Sequence, residues 1–501
     1  MLTIEEMAAF CKRKGFVYPN SEIYGGLSGF FDYGPLGVEL KNNIKQSWWH
    51  FHVHSRKDIV GMDGSIITHP FVWKASGHVE SFEDIMLACS KCRQKVRGDH
   101  LIADALHIPT EGMTVSEATK LVQEKNIKCP HCKGTLQEAK PFNLMFKTEI
   151  GPEGGIQAYL RPETAQLIFA NFKLIAENSR LKLPFGIAQI GKAFRNEISP
   201  RDFLFRAREF EQMEIEYFCH PEKKECPLID GVQKHTLAVF SAEMQEKNIP
   251  PKRMTIETCL NTSIIKNQWQ AYWLAKEIEW FTANGANPGN FRIRQHLEKE
   301  KSHYARDTWD IEYQFPFGFK ELQGIADRGD FDLQQHIKHS KQDLSLFDEE
   351  TKKRVVPHVV SEPSQGVDRA FLVFLFDAYQ DDKQRGNIVL KLHPKLAPYK
   401  AAVFPLITKL DEHAKKVYGQ IKDDFNTFYD SKGSVGRRYA RADEIGIPFC
   451  ITFDFDSMKD ESITIRSRDT TKQIRIKIEE LKTALRRLMD GEPLESCGAI
   501  I

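Results

Sequence analysis

Two short runs carry residue types suited to handling a charged, ring-bearing ligand. The first is Phe194-Arg195-Asn196-Glu197 and the second is Phe205-Arg206-Ala207-Arg208-Glu209-Phe210-Glu211-Gln212-Met213-Glu214. They read as strand, loop, strand. Side chains alternate faces along a strand, so Arg206, Arg208, Phe210, Gln212 and Glu214 share one side. Two guanidiniums, an aromatic plate and a carboxylate suit a polyphosphate, a base ring and an ammonium group. Guanidinium forks match phosphate oxygens bidentately, and several together offset the charge that builds when an α-phosphate is attacked. Arg195, Arg206, Arg208 and Arg369 lie on segments able to converge. Glu197 can accept from a base amine or a ribose, and Phe210 can stack on a purine. A merely solvated charged hairpin has no need of a Phe among arginines. No Gly-rich loop ending in Lys-Ser/Thr occurs, which excludes a P-loop.

A second constellation is Cys89-x-x-Cys92 with Cys129-x-x-Cys132. Four thiolates in two knuckles are the inventory of a closed tetrahedral zinc site, and a fully cysteine-ligated ion leaves no open position for substrate. Any zinc there is structural. The alternative is four reduced thiols. Cys11, Cys219, Cys226, Cys259 and Cys450 have no partner spacing and read as core or surface thiols.

A chain of 501 residues predicts two to four domains with ample core. Lys plus Arg is 70 against 69 Asp plus Glu, so any nucleic-acid surface must be a local patch. The acidic start, Met1-Leu2-Thr3-Ile4-Glu5-Glu6, has no apolar signal core, and no apolar run spans a bilayer. Cys497 stands one position too early for prenylation. Ten cysteines in so long a chain make no disulfide framework, which predicts a reducing, cytoplasmic setting.

The elements that must hold these residues follow from periodicity. Leu40, Ile44, Trp48 and Phe51 mark a long helix. Residues 59–68 read as a strand ending before Pro70. Residues 86–148 change character and read as a Cys-rich insertion. Residues 226–309 read as a mainly helical insertion with Ile264, Ile265, Trp269, Trp273, Ile278 and Phe281 in its core. Residues 361–379 read as a turn entering an apolar helix, and from 393 strands and helices alternate.

With these residues in view, the chain resembles a class II aminoacyl-tRNA synthetase, and within that class the glycyl-tRNA synthetases of homodimeric type. The helix after Gly37 with the strand before Pro70, the Arg195 hairpin, and Gly366-Val367-Asp368-Arg369 with its helix resemble the three class motifs. Arg161-Pro162-Glu163-Thr164-Ala165-Gln166, Phe210-Glu211-Gln212-Met213-Glu214 and Glu362-Pro363-Ser364 resemble the glycyl family. The His-x-Gly-His and Lys-Met-Ser-Lys-Ser marks of the other synthetase class are missing. Motif 3 departs from the class pattern by lacking some upstream small residues.

The resemblance implies an α+β fold. An antiparallel-sheet catalytic core spans 1–85, 149–225 and 310–392, interrupted by the Cys-rich and helical insertions, and 393–501 forms a C-terminal α/β anticodon-binding domain. It implies an ATP-dependent ligase that joins glycine to tRNA(Gly) through glycyl-adenylate, releasing AMP and pyrophosphate, with Mg²⁺ as cofactor. Diadenosine polyphosphate synthesis is an implied side reaction. Arg195, Glu197 and Arg369 would be catalytic. Arg195, Asn196, Glu197, Phe205, Arg206, Phe210, Glu321, Leu322, Gly366 and Arg369 would hold ATP, with adenine between Phe210 and Arg369. Arg97, Glu163, Phe210, Gln212, Glu214, Glu362 and Ser364 would form the glycine site. A homodimer is implied, with Trp48, Trp49 and Phe51 as weak support. Arg437, Arg438 and Arg441 around Tyr439 would meet RNA. Two other readings compete: a relative charging threonine, proline or serine, and a silent synthetase-like binding subunit.

Overall fold

The computed structural model describes residues 2–501 except 109, 111, 224 and 302–304. Its centre is a nine-stranded sheet. In chain order the strands are β1 (Ile59–Met62), β2 (Phe185–Phe194), β3 (Glu209–Cys219), β4 (Thr236–Phe240), β5 (Lys252–Thr255), β6 (Phe291–Gln295), β7 (Asp307–Phe315), β8 (Gly318–Asp327) and β9 (His358–Gly366). Their spatial order is β5-β4-β6-β7-β8-β9-β3-β2-β1. The pairs β1/β2 and β4/β6 are parallel, and every other pair is antiparallel.

Strand β3 shows how the sequence divides the two faces. Met213, Ile215 and Tyr217 alternate with Gln212, Glu214 and Glu216. The apolar set packs beneath a helix of residues Gln268–Ala283, where the Tyr217 ring lies 4.6 Å from Trp269 and 5.6 Å from Trp273. That helix is apolar around most of its circumference because it is buried on most sides. The opposite face is covered only at one end. There a helix of Ala165–Asn178 lays Phe169 and Phe172 on Phe218, with centroids 6.3 and 4.5 Å apart. The uncovered end of that face carries the polar residues.

The long helix spans Pro35–Trp49 and continues as a π-helical turn over His50–His54. A Cβ at Gly37 would stand 1.8 Å from the Phe16 carbonyl oxygen, so only glycine permits this approach. Leu40, Ile44 and Trp48 are fully buried. Trp48 packs on His52 at 4.8 Å, and His52 in turn faces Trp273 and Trp280. Trp48 therefore belongs to the chain's own core and gives no support to an interface.

Three expectations about elements need correction. The segment 226–309 holds more helix than strand, but it is no insertion apart from the sheet, since β4, β5 and β6 lie in it and extend the central sheet. The stretch around Glu362 is no turn but β9, hydrogen-bonded between β8 and β3, followed by the helix Val367–Ala378. The strand before Pro70 covers only Ile59–Met62.

The Cys-rich unit is a small fold with its own core of Leu87, Ile102, Ala118 and Val122. A three-stranded sheet of Lys95–Arg97, Glu83–Ala88 and Lys140–Asn143 carries two helices. Its first strand begins at Glu83, so the unit starts slightly ahead of the boundary expected at 86.

The C-terminal unit holds a six-stranded sheet whose first three members, Thr427–Tyr429, Ala401–Pro405 and Phe449–Phe453, are parallel. Helices Asp411–Ile421 and Leu481–Met489 pack in one apolar cluster with it, and Val435–Glu444 in another. Arg438 is buried here and donates to the Pro405 and Leu406 carbonyls, while the Tyr439 hydroxyl bonds Thr452 at 2.7 Å. Arg438 does not face solvent as an RNA contact would, and Tyr439 is half-buried with its hydroxyl engaged. Arg441 pairs with Asp430, and Arg437 is exposed. The unit is tied to the sheet domain by Arg385, which donates to the Arg468 carbonyl at 2.7 Å and to Asp443 at 3.3 Å. Arg468 donates to the Leu392 carbonyl at 2.7 Å. Among the described residues no helix is long and apolar enough to cross a membrane.

Candidate active site

The uncovered face of the sheet forms a cleft of about 650 Å³. One end is built from the Arg195 hairpin and the start of the Val367–Ala378 helix. Arg195, one residue past β2, donates from Nε to the Pro162 carbonyl at 3.1 Å, and its guanidinium lies over Phe210 and Phe82 at 5.2 and 5.5 Å. The backbone N–H of Asn196 is held by Leu144 O at 2.8 Å. Glu197 is buried and accepts from Arg206 Nε at 2.8 Å. Arg369 stacks on Phe205 at 4.6 Å and donates from Nη1 to Glu321, at 3.2 Å to its carboxylate and 2.9 Å to its carbonyl. Leu322 and Gly366 complete this wall.

Two placements bear on the roles expected of these arginines. The Arg195 guanidinium lies over Phe210, and that of Arg369 lies over Phe205. Arg208 does not line the cleft, because its guanidinium is spent on the carbonyls of Glu197 at 3.0 Å and Ser28 at 2.9 Å.

The other end is acidic. Glu163 stands just before the helix Ala165–Asn178, where the helix dipole favours a carboxylate, and accepts from Gln166 at 3.0 Å. His78 lies 3.4 Å away on its other side. Glu214 accepts from the Thr164 hydroxyl. Gln212 donates to Ser364 Oγ at 3.3 Å. Glu362 accepts from Arg328 Nη1 at 2.8 Å, and the same guanidinium makes two 2.7 Å bonds to Asp332. Arg97 is not with this group. It pairs with Asp84 at 2.6 Å and Asp99 at 2.8 Å beside His100, and Arg206 approaches Asp84 at 3.7 Å and His100 at 3.3 Å. It therefore belongs to the Glu197–Arg206 end.

Burial and charge divide the carboxyls. Burial tends to raise Glu163, but His78 and Arg328 outweigh it and hold this group well below the usual range. Burial, reinforced by Glu214 and Glu163, pushes Glu362 up to about 8 against the pull of Arg328. Arg328 cannot hold Glu362 down, because it is already bidentate to Asp332. Glu214 is raised too, by burial and by Glu163. At the opposite end Arg369 holds Glu321 down, and burial pushes Asp310, beside His296, up to about 6.

Sequence reasoning missed Arg328, Asp332, Thr164 and His78. Asp327-Arg328-Gly329-Asp330 reads as a surface turn, yet Arg328 is 3 % exposed. The only available signal was a lone arginine whose partners lie on other elements.

The four knuckle sulfurs meet. Cys89 and Cys132 Sγ are 3.5 Å apart, Cys92 and Cys129 are 3.7 Å apart, and all four lie within 4.8 Å. A tetrahedron with metal–sulfur bonds near 2.3 Å has edges of about 3.8 Å. The knuckles repeat each other. Arg93 and Lys133, each following the second cysteine of its pair, both have φ 59°, and their N–H groups return to the Cys89 and Cys129 carbonyls at 3.1 and 2.9 Å. A Cβ at Gly134 would stand 3.1 and 3.2 Å from two of the sulfurs. The donor set fits zinc.

An arginine-lined cleft joined to an acidic pocket can grip a triphosphate and an ammonium compound side by side. Known proteins carry the same pattern. Residues 146–378 match the tRNA synthetase class II core domain (G, H, P, S and T), and residues 400–488 match the anticodon binding domain. Fold and site together define a class II aminoacyl-tRNA synthetase, a ligase. The glycine–tRNA ligase of Geobacillus thermodenitrificans is 44 % identical over 494 residues, covering 96 % of this chain and 97 % of the relative. Those of Caldanaerobacter subterraneus subsp. tengcongensis and Bacillus thuringiensis subsp. konkukian are also 44 % identical, over 96 and 97 % of this chain and 97 and 99 % of theirs. The chain belongs to the glycine–tRNA ligase family.

Proposed function

We propose that this enzyme attaches glycine to tRNA(Gly) at the expense of ATP. In the first step a glycine carboxylate oxygen attacks the α-phosphorus in line, the bond to the β-phosphate oxygen breaks, and pyrophosphate leaves. In the second the 3′-hydroxyl of the terminal adenosine attacks the glycyl carbonyl, and AMP leaves. No protein nucleophile is needed, so positioning and charge supply the rate.

Arg195 holds the α-phosphate and the carboxylate. Glu197 reads the adenine edge while fixing Arg206, and Arg206 with Arg369 receives the outer phosphates. Phe210 offers the stacking face, with Arg369 swinging off Phe205 to close the other side. Glu321, a hard oxygen donor in the cleft beside Asp310, suits Mg²⁺, which when bound draws charge off the phosphates. Glu163, Glu214 and Glu362 receive the ammonium, with Ser364 and Gln212 closing the wall against an added methyl.

The observation that carries this reading is the junction of the arginine cleft with buried carboxyls whose one built-in guanidinium, Arg328, is shared. It suits an amino-acid ammonium set beside a triphosphate. It also favours an enzyme over a silent subunit, because Arg195, Glu197, Arg206 and Arg369 all line one cleft. The test is pyrophosphate exchange with a panel of amino acids. Glycine alone should support it, and Glu362→Gln should raise the glycine requirement far more than the ATP requirement.

The knuckles hold a structural zinc. They flank the hairpin of Glu83–Ala88 and Lys95–Arg97, which delivers Asp84 and Arg97 to Arg206. The chain acts as a homodimer in the cytoplasm, a setting consistent with ten unpaired cysteines. Attack by a terminal phosphate oxygen of a second ATP on the adenylate phosphorus would release glycine and give a diadenosine polyphosphate.

A further inference from the structure

The residue two beyond Glu214 on β3 is Glu216. It shares Glu214's face, yet it does not line the cleft. It is fully buried, and neither carboxyl oxygen has a hydrogen-bond partner. Across β3/β2 its neighbour is Ile187, which is hydrocarbon. On the β9 side, Ser364 opposes Glu214 and Ser361 opposes Tyr217, so Glu216 faces the Glu362-Pro363 stretch. Pro363 has no N–H to offer. One carboxylate oxygen from each of Glu214, Glu216 and Glu362 lies within 4.8 Å of the others. The groups that face Glu216 are Glu214 on its own strand, Glu362 on β9, Arg328 just past β8, and Asp332 in the helix Phe331–Ser340.

Charge matching decides the protonation. Arg328 and one arriving ammonium supply two positive charges, and Glu163, Glu214, Glu216, Glu362 and Asp332 compete for them, with His78 beside Glu163 alone. Arg328 is already committed to Asp332 and Glu362. A third ion with no partner in this space would be prohibitively costly, whereas a neutral carboxyl has an O–H that seeks an acceptor. The carboxylate oxygens that cluster with it, within 4.8 Å, are those of Glu214 and Glu362.

We infer that Glu216 is a positioning residue of the amino-acid pocket: a proton-bearing carboxyl that donates a hydrogen bond to the Glu214–Glu362 pair from behind and keeps their free oxygens turned toward the substrate ammonium. This rests on the glycine reading of the acidic end. Burial, with Glu362 and Glu214 adding to it, raises the Glu216 carboxyl well above the ordinary range, in the direction the geometry requires.

The test compares Glu216→Gln, which keeps shape and donor, with Glu216→Met, which keeps volume and loses the donor. In glycine-dependent pyrophosphate exchange, Glu216→Met should raise the glycine KM about tenfold or more with the ATP KM within about twofold, and Glu216→Gln should stay within about threefold of the parent. The infrared spectrum of the unliganded protein should contain protonated-carboxyl absorption, part of it from Glu362, that loses the share of one carboxyl in Glu216→Gln. An unchanged glycine KM in Glu216→Met, a Glu216→Gln as impaired as Glu216→Met, or protonated-carboxyl absorption of undiminished intensity in Glu216→Gln would each overturn the inference. If Glu216→Met fails to fold, the kinetics and spectrum of Glu216→Gln decide alone. Glu163→Gln separates the two readings. If it leaves the glycine KM unchanged, the pocket assignment falls. If it raises the glycine KM while the Glu216 variants behave as parent, only the role of Glu216 falls.

Discussion

Binding of the amino acid should release a proton, and Glu362 should be its source. With its carboxyl pushed up to about 8, the unliganded pocket holds that group about nine-tenths protonated at pH 7. An ammonium arriving beside it favours the carboxylate. Titrating a glycyl-adenylate analogue into the protein at pH 7, in buffers of different ionisation enthalpy, should report about 0.9 proton released per site, falling to about 0.1 at pH 9. Expelling that proton costs about 1.4 kcal/mol at pH 7 and about 0.4 at pH 8, so glycine should bind about fivefold tighter at pH 8. The same shift acts on the fold. A carboxyl raised on folding stabilises the protein most below its unfolded pKa, and that contribution is lost as pH rises through the folded value. The unliganded protein should therefore lose about 1.4 kcal/mol between pH 7 and 9, and Glu362→Gln should lose that much less. Buffer-independent enthalpies, or an identical proton count in Glu362→Gln, would refute the assignment.

Arg195→Ala should cut adenylate formation by a factor of about 10² or more while circular dichroism is unchanged; retained exchange activity would remove its role. Purified protein should carry one zinc per chain, and Cys129→Ser should lose it and raise the KM for ATP through the Asp84–Arg97–Arg206 contacts; an unaltered KM in metal-free protein would separate the knuckles from the cleft. Arg438→Ala should destabilise the C-terminal unit by about 3 kcal/mol, because two carbonyls lose a buried donor, measured by denaturant unfolding. Arg437→Glu should instead leave stability alone and raise the KM for tRNA, and an unmoved KM would exclude that side chain from the RNA surface.

What could be read in advance was whatever repeats locally. Alternation along β3 announced a two-faced strand with Phe210, Gln212 and Glu214 on its polar side. The paired Cys-x-x-Cys spacings announced a four-sulfur cluster. Residues whose role depends on distant partners were opaque. Arg328 looks like any turn arginine until Asp332 and Glu362 close on it. Ser361-Glu362-Pro363-Ser364 has turn composition, and proline argues against a central strand. It is accommodated in β9, where Pro363 stands opposite Ile325 of β8. Arg438 and Arg437 are adjacent and chemically identical, and only the helix's orientation sends one inward. Strands β5 and β6 were missed because Lys252-Arg253 and Arg292-Ile293-Arg294 read as polar surface, although the Arg292 guanidinium lies on the rings of Phe240 and Phe319 at 4.9 and 4.2 Å.

The contacts of Arg385 with Asp443 and the Arg468 carbonyl, and of Arg468 with Leu392, join two bodies through several bonds rather than a free tether. The enzyme is thereby a caliper with a set gap. A nucleic acid reaching from one jaw to the other must itself supply the give, so an RNA with an arm lengthened by a helical step should be charged more slowly even with its bases unchanged.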